Sequence, residues 1–165
     1  MSAKKTKLMN KAKVNERAKT FLDSCVSLLR KDGSRITQPR LLVINCLGRS
    51  DSPLTAREVH EIISKDKKAS NIDQVSVYRI LEALLKLELV HQVFPSGGYL
   101  ACFHIKCGAA VHVLTRCSSC EQIEELDLPQ EAIAPILRYL KTKQHFQPDS
   151  HLFQMNGLCS ECRES

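Results

Sequence analysis

Residues 73–103 read DQVSVYRILEALLKLELVHQVFPSGGYLACF, and the fold class turns on where this stretch changes its period. Near Asp73 a helix begins, with Val77, Ile80, Leu81 and Leu84 recurring at the three-to-four spacing of one buried face. Ser76 and Arg79 share another face, with Gln74 and Tyr78 beside them. From Leu89 the helical spacing stops. Two short β-like runs follow, residues 89–94 and 98–103, joined at Pro95-Ser-Gly-Gly98, which is a hairpin signal. A helix that buries one side and offers Gln, Ser, Tyr and Arg near its N-terminus is shaped to enter a major groove.

Upstream, Ala18, Phe21, Leu22, Cys25, Leu28 and Leu29 mark a first helix that Gly33 ends, with Cys25 a small core residue. A second helix has Thr37 as N-cap and Pro39 in its first turn, with Leu42, Val43, Cys46 and Leu47 facing inward. A third opens with the capping box Thr55-Ala-Arg-Glu58; Val59, Ile62 and Ile63 face inward and His60 outward. Helices followed by a hairpin describe a winged helix-turn-helix. The plain alternative is a helical bundle whose polar face is merely wet.

Downstream, Cys117-Ser-Ser-Cys120 and Cys159-Ser-Glu-Cys162 are two C-x-x-C knuckles. Each turns two thiolates toward one tetrahedral Zn²⁺, at roughly 2.3 Å per Zn–S bond. Residues 109–116 and 123–128 read as strands into and out of the first knuckle. Pro129 opens a helix carrying Ile133, Ile136, Leu137 and Leu140. Residues 151–155 form a third strand before the second knuckle. The fold class is α+β: an N-terminal winged helix-turn-helix domain and a small α/β domain with a four-cysteine zinc site. The expected boundaries are a basic disordered arm over 1–12, the winged-helix domain with its wing and hinge over 13–103, and the dimerisation and structural-zinc domain over 104–165. The rival readings of the cysteines are disulfides, reduced surface thiols or a thioredoxin-like redox pair. The redox motif needs a βαβ setting, and no helix-length segment follows the second pair.

The 165 residues carry a net charge of +6, with 24 basic and 18 acidic side chains and eight cysteines. Apolar residues make up 43%, enough for a real core, yet no apolar run is long enough to span a bilayer. The basic start lacks the apolar segment of a secretory signal, so a reducing cytoplasm is expected, where cysteines serve as metal ligands or core residues. Lys4, Lys5, Lys7, Lys11, Lys13, Arg17 and Lys19 crowd the start; such a run would strengthen phosphate contacts with nucleic acid. There is no Ser/His/Asp set and no phosphate-binding Gly loop, and an enzyme is not expected.

Three motifs carry a resemblance. Arg35-Ile-Thr37-Gln-Pro-Arg40, Val75-Ser-Val-Tyr78-Arg79 and Gly157-Leu-Cys159-x-x-Cys162 resemble, in this order, motifs of the ferric uptake regulator (Fur) family. The likeness runs from about Val14 to Cys162. It implies a metal-dependent regulator that binds double-stranded DNA as a homodimer. The N-terminal winged helix would bind DNA, the C-terminal domain would dimerise, and a regulatory metal would sit in the hinge. Arg40, Gln74, Ser76, Tyr78 and Arg79 are the candidate DNA contacts. Tyr78 would offer its ring to a thymine methyl and Arg79 its guanidinium to phosphate or base. Cys117, Cys120, Cys159 and Cys162 would hold the structural zinc.

Within the family the sequence looks most like the zinc uptake regulator branch, which implies a second, regulatory Zn²⁺ at His91, Cys102, His112 and Glu125. His104 and Cys107 are alternatives for the third ligand, and His151 matches a residue of a further site in some relatives. A thiolate at Cys102, together with the loss of most of the His and Asp that iron-sensing relatives carry ahead of the first knuckle, favours zinc. The function implied is a repressor of zinc-uptake genes acting on a palindromic operator. Its rivals are an iron- or peroxide-responsive relative, a thiol oxidoreductase, and a zinc-stapled interaction module that never touches DNA.

Overall fold

The computed structural model describes residues 11–66, 72–103, 111–148 and 152–164. The chain forms two compact units, residues 1–105 and 106–165.

The first unit holds α1 (Lys11–Lys31), α2 (Gln38–Gly48), α3 (Ala56–Ile63) and α4 (Gln74–Lys86), then the antiparallel hairpin β1 (Val90–Val93) and β2 (Gly98–Ala101). Helix α1 starts at Lys11, inside the stretch expected as a basic arm, and residues 1–10 lie outside the described residues. The helix starts are set by side-chain caps. Thr37 accepts from the Arg40 amide with Pro39 in the first turn, and Thr55 and Glu58 form the reciprocal capping box. Each such cap contributes about 1 kcal/mol. Gly33 ends α1 with φ +75°, a backbone angle that costs glycine little.

The core of this unit joins Phe21, Cys25 and Leu29 of α1 to Val43, Ile44 and Leu47 of α2, and Val59 and Ile63 of α3 to Val77, Leu81 and Leu84 of α4. Ile44 is fully buried although it falls outside the inward set expected for α2; Leu42 and Cys46 are only partly buried. On α3, Ile62 is exposed rather than inward. His60 is half-buried rather than surface-facing, because its Nε2 lies 3.0 Å from the Ile72 carbonyl and ties α3 to the approach of α4. Phe103 packs on Phe21 with ring centroids 5.4 Å apart, and the Arg17 guanidinium lies 4.3 Å above its ring. Arg17 is itself held by Asp51 and by the Ser50 carbonyl.

The hairpin is fastened at its turn end. Leu54 and Tyr99 exchange backbone hydrogen bonds of 3.0 and 2.8 Å, an isolated antiparallel bridge on the β2 edge. Gly98 is buried against Pro53, and a Cβ there would stand 2.8 Å from Pro53 Cβ and 3.2 Å from its carbonyl carbon.

The second unit is a three-stranded sheet in the order β4-β3-β5, built from β3 (Val111–Cys117), β4 (Ile123–Leu128) and β5 (Leu152–Gly157). Strands β3 and β4 are an antiparallel pair, and β5 returns parallel to β3 after the helix α5 (Gln130–Lys143). A four-residue helix α6 (Ser160–Arg163), absent from the sequence-based expectation, carries Cys162 of the second knuckle. Among the described residues of this unit the buried apolar set is small: Val113, Leu114, Cys117 and Ile133. Ile136, Tyr139, Met155 and Leu158 stay exposed. So small a core needs a staple.

Replacing Gly98 by Ala is expected to destabilise the first unit by about 1–3 kcal/mol, because the rigid Pro53 ring and backbone must shift. Urea unfolding followed by circular dichroism measures this. Gly97→Ala meets no neighbour and should cost only the strain of its positive φ.

Candidate functional site

Strand β3 ends on Cys117, and the chain turns back through Cys120 into β4. The turn closes with the Glu121 amide on the Cys117 carbonyl at 3.0 Å, and Glu121 takes the left-handed conformation (φ +63°). Parallel pairing of β3 with β5 sets Cys117 opposite Gly157, so the second knuckle emerges beside the first. The Ser118 amide donates to the Gly157 carbonyl at 2.7 Å and fixes the two turns together.

The four sulfurs of Cys117, Cys120, Cys159 and Cys162 all lie within 4.8 Å of one another. Cys120 Sγ and Cys159 Sγ, from different knuckles, are 3.8 Å apart. Four thiolates around one zinc, at roughly 2.3 Å and tetrahedral angles, stand about 3.8 Å from each other, so the set fits the ion. Backbone amides of Cys120, Cys159 and Ser119 donate to the Cys117 sulfur and bring its pKa down to about 6. The donation from the Cys159 amide spans 3.4 Å. These amides are the part of the site that the cysteine spacing does not reveal; they favour the thiolate that a metal requires. No disulfide links the described cysteines. The first knuckle joins two antiparallel strands, not a strand and a helix, so it lacks the setting of a redox pair.

A second donor group lies in the first unit. His91 on β1 and Cys102 just past β2 are both buried, 3% and 1% exposed, and present ligand atoms within 4.8 Å of each other. Antiparallel pairing brings this about: His91 faces Leu100, and the Cys102 amide donates to the Leu89 carbonyl at 3.1 Å. His91 is therefore not a solvated strand residue. In the second unit, Glu125 lies on the half-buried face of β4 with Ile123, while Glu124 points to solvent. His112 is carried on β3 in register with Asp127 and Leu152, and its side chain lies outside the described residues. His104, Cys107 and His151 also lie outside the described residues. Among the described residues, Cys25 and Cys46 join no such donor group. Burial, with Cys102 nearby, pushes the Cys25 thiol up to about 12, and burial pushes Cys46 to about 11, as suits inert core thiols.

Helix α4 sorts its side chains by face. Val77, Leu81 and Leu84 are fully buried, whereas Gln74, Tyr78 and Arg79 are exposed. Asp73 caps the helix by accepting from the Ser76 amide at 2.6 Å and from the Ser76 hydroxyl at 3.1 Å. Ser76 is thereby drawn into the cap and is half-buried, not offered on the outer face. The spacing of Asp73 and Ser76, three residues apart at a helix start, carries that signal. Arg40 at the start of α2 is half-buried, with Nη1 donating to the Arg35 carbonyl at 2.7 Å.

The sequence pattern of the ferric uptake regulator family matches residues 31–156, which hold the capped α2, the exposed face of α4, the hairpin donors and the first knuckle. The chain belongs to the ferric uptake regulator family. It is 28% identical over 143 residues to the ferric uptake regulation protein of Campylobacter upsaliensis, covering 86% of this chain and 88% of that one. It is 30% identical over 132 residues to the zinc uptake regulation protein of Mycobacterium tuberculosis, covering 79% and 96%. Among solved structures, a zinc uptake regulator complexed with zinc and DNA superposes with a TM-score of 0.74 at 22% identity, over 89% of this chain and 95% of that one. That likeness shows the fold.

For this Fur-family chain the thiolate cluster yields a direct expectation. The purified protein should carry at least one tightly held Zn²⁺ per chain, by elemental analysis. Cys117→Ser or Cys159→Ser should lose that zinc together with the native circular dichroism of residues 106–165, because the binding free energy of such sites is folding free energy. A folded, metal-free variant would refute the assignment.

Proposed function

We propose that this Fur-family, metal-responsive regulator is a zinc-loaded dimeric repressor that binds a palindromic operator and controls zinc-uptake genes. The observation that carries the zinc reading is the buried pair His91 and Cys102. An imidazole and a thiolate side by side form a soft donor set that suits zinc and disfavours hard cations. Glu125 and His112 are the remaining donors proposed from the second unit. The cysteine cluster would hold a separate, structural zinc.

The chain's own residues divide the work. Tyr78, Arg79 and Gln74 on the outer face of α4 would contact base edges and phosphates, with Arg40 beside them. Ser76 would act through the cap, holding the first turn of α4 in place. Dimerisation is assigned to the second unit on the family likeness, and the exposed Ile136, Tyr139, Met155 and Leu158 there are compatible with it. A metal that takes donors from both units binds one arrangement of them better than others and so selects it. Two recognition helices would then address successive half-sites one DNA turn apart. Family membership makes the protein a regulator and not an enzyme. No described helix is long and apolar enough to cross a membrane.

A second reading stays within the family: the protein answers to iron, as the name of the Campylobacter relative invites, or to peroxide, as that of a Staphylococcus saprophyticus relative does. Metal titration of DNA binding separates the two. Cys102→Ser is expected to keep the structural zinc and the dimer while abolishing zinc-stimulated operator binding. Retained zinc dependence would place the sensor elsewhere, and a response to Fe²⁺ in place of Zn²⁺ would favour the second reading.

Arg79→Ala should weaken operator binding by about tenfold or more with fold, zinc content and dimer unchanged, since one bidentate contact contributes about 1–3 kcal/mol of discrimination. Fluorescence anisotropy on a labelled duplex measures it. An unchanged affinity would mean that α4 is not the reader.

A further inference from the structure

We propose that Val75 is a specificity-determining residue that reads the C5-methyl group of one thymine in each operator half-site. The inference rests on the DNA-binding role proposed above for α4. Val75 is 60% exposed in the first turn of that helix, on the side away from buried Val77, Leu81 and Leu84. A β-branched residue loses side-chain freedom in a helix and, when exposed, gains no core contact in return. Nothing in the fold of the first unit calls for it.

The neighbouring side chains narrow what it meets. The Ser76 hydroxyl is engaged by Asp73. The first turn of α4 therefore presents Gln74, which is polar, and Val75, which is apolar. Tyr78, 46% exposed, follows three positions later on the same side, and Arg79 four positions later. In a major groove the base edges offer donors and acceptors, and one apolar group, the thymine methyl. A valine can make no hydrogen bond there, so that methyl is the complement it fits. Single exposed apolar residues are also common on protein surfaces, and the experiment must tell the two apart.

The test uses the full-length, zinc-loaded protein and a duplex selected by it from a random pool. Each thymine of the duplex is replaced in turn by deoxyuridine, which removes only the methyl. At least one thymine per half-site should cost the wild type roughly fourfold in affinity when demethylated, the loss of one buried methyl. Val75→Ala should lose affinity for the unmodified duplex to a similar degree. It should also bind the demethylated duplex no worse than the unmodified one, because the two deletions remove the same contact. Zinc content, dimer and circular dichroism of the variant should match the wild type. The proposal is overturned if Val75→Ala keeps the wild-type sensitivity to every deoxyuridine, or if the wild type has none. It is also overturned if the sensitivity disappears in Tyr78→Ala while persisting in Val75→Ala, which would give the methyl contact to Tyr78 alone. Failure of the wild type to select any duplex would refute the DNA-binding reading itself, a different result from any of these.

Discussion

Four thiolates cannot share one small volume without a cation among them. Cys117, Cys120, Cys159 and Cys162 bring their sulfurs within 4.8 Å, and the whole second unit is arranged to make that happen. The first pair closes the β3–β4 turn, and the second follows β5 after the α5 crossover. Parallel pairing of β3 with β5, with Cys117 opposite Gly157, is what makes the pairs meet. Backbone amides already favour the thiolate form of Cys117. Among the described residues of this unit few apolar side chains are buried, and a metal bound at the cysteines would add folding free energy to so small a core.

The first unit is stabilised differently. Its core is drawn from all four helices and the hairpin. That frees its polar and sulfur chemistry for other work. His91 and Cys102 are buried donors on a hairpin whose backbone is fastened at both ends, by Leu54 and Tyr99 at one and by Leu89 and Cys102 at the other. If this pair binds a metal, as proposed, its fixed backbone holds an imidazole and a thiolate ready, and the softness of those donors favours zinc. Helix α4 shows the same division. One face closes the core, the Asp73–Ser76 cap fixes the start, and the outer face is left to Gln74, Val75, Tyr78 and Arg79.

Much of this was legible in the chain. The capping residues Thr37 and Thr55 could be read because a cap is a local hydrogen bond between neighbours in sequence. The hairpin could be read from a change of period and a Pro-Ser-Gly-Gly turn, and the zinc cluster from two C-x-x-C pairs. The errors have a common cause. Ile44 and Ile62 were misplaced because a single helix period does not say how wide a face its neighbours will cover. His60 was placed outward because its partner, the Ile72 carbonyl, lies on another segment. Ser76 was read as a DNA contact because the Asp73 cap that engages it was missed, although their spacing carries the signal.

The sequence by itself determined the elements, their order, the donor types and the resemblance that names the family, since these depend on spacing and side-chain chemistry over a few residues. The sequence proposed which donors meet; only the tertiary structure brought them within reach and decided which side chains face water. Parallel β3–β5 pairing sets Cys120 Sγ 3.8 Å from Cys159 Sγ, across 39 positions of chain. Hairpin register buries His91 beside Cys102, and the packing of α4 leaves Val75 outside. Such facts come from long-range pairing, in which residues far apart along the chain become neighbours by geometry. Local patterns pointed to these groupings but could not set their distances or burial.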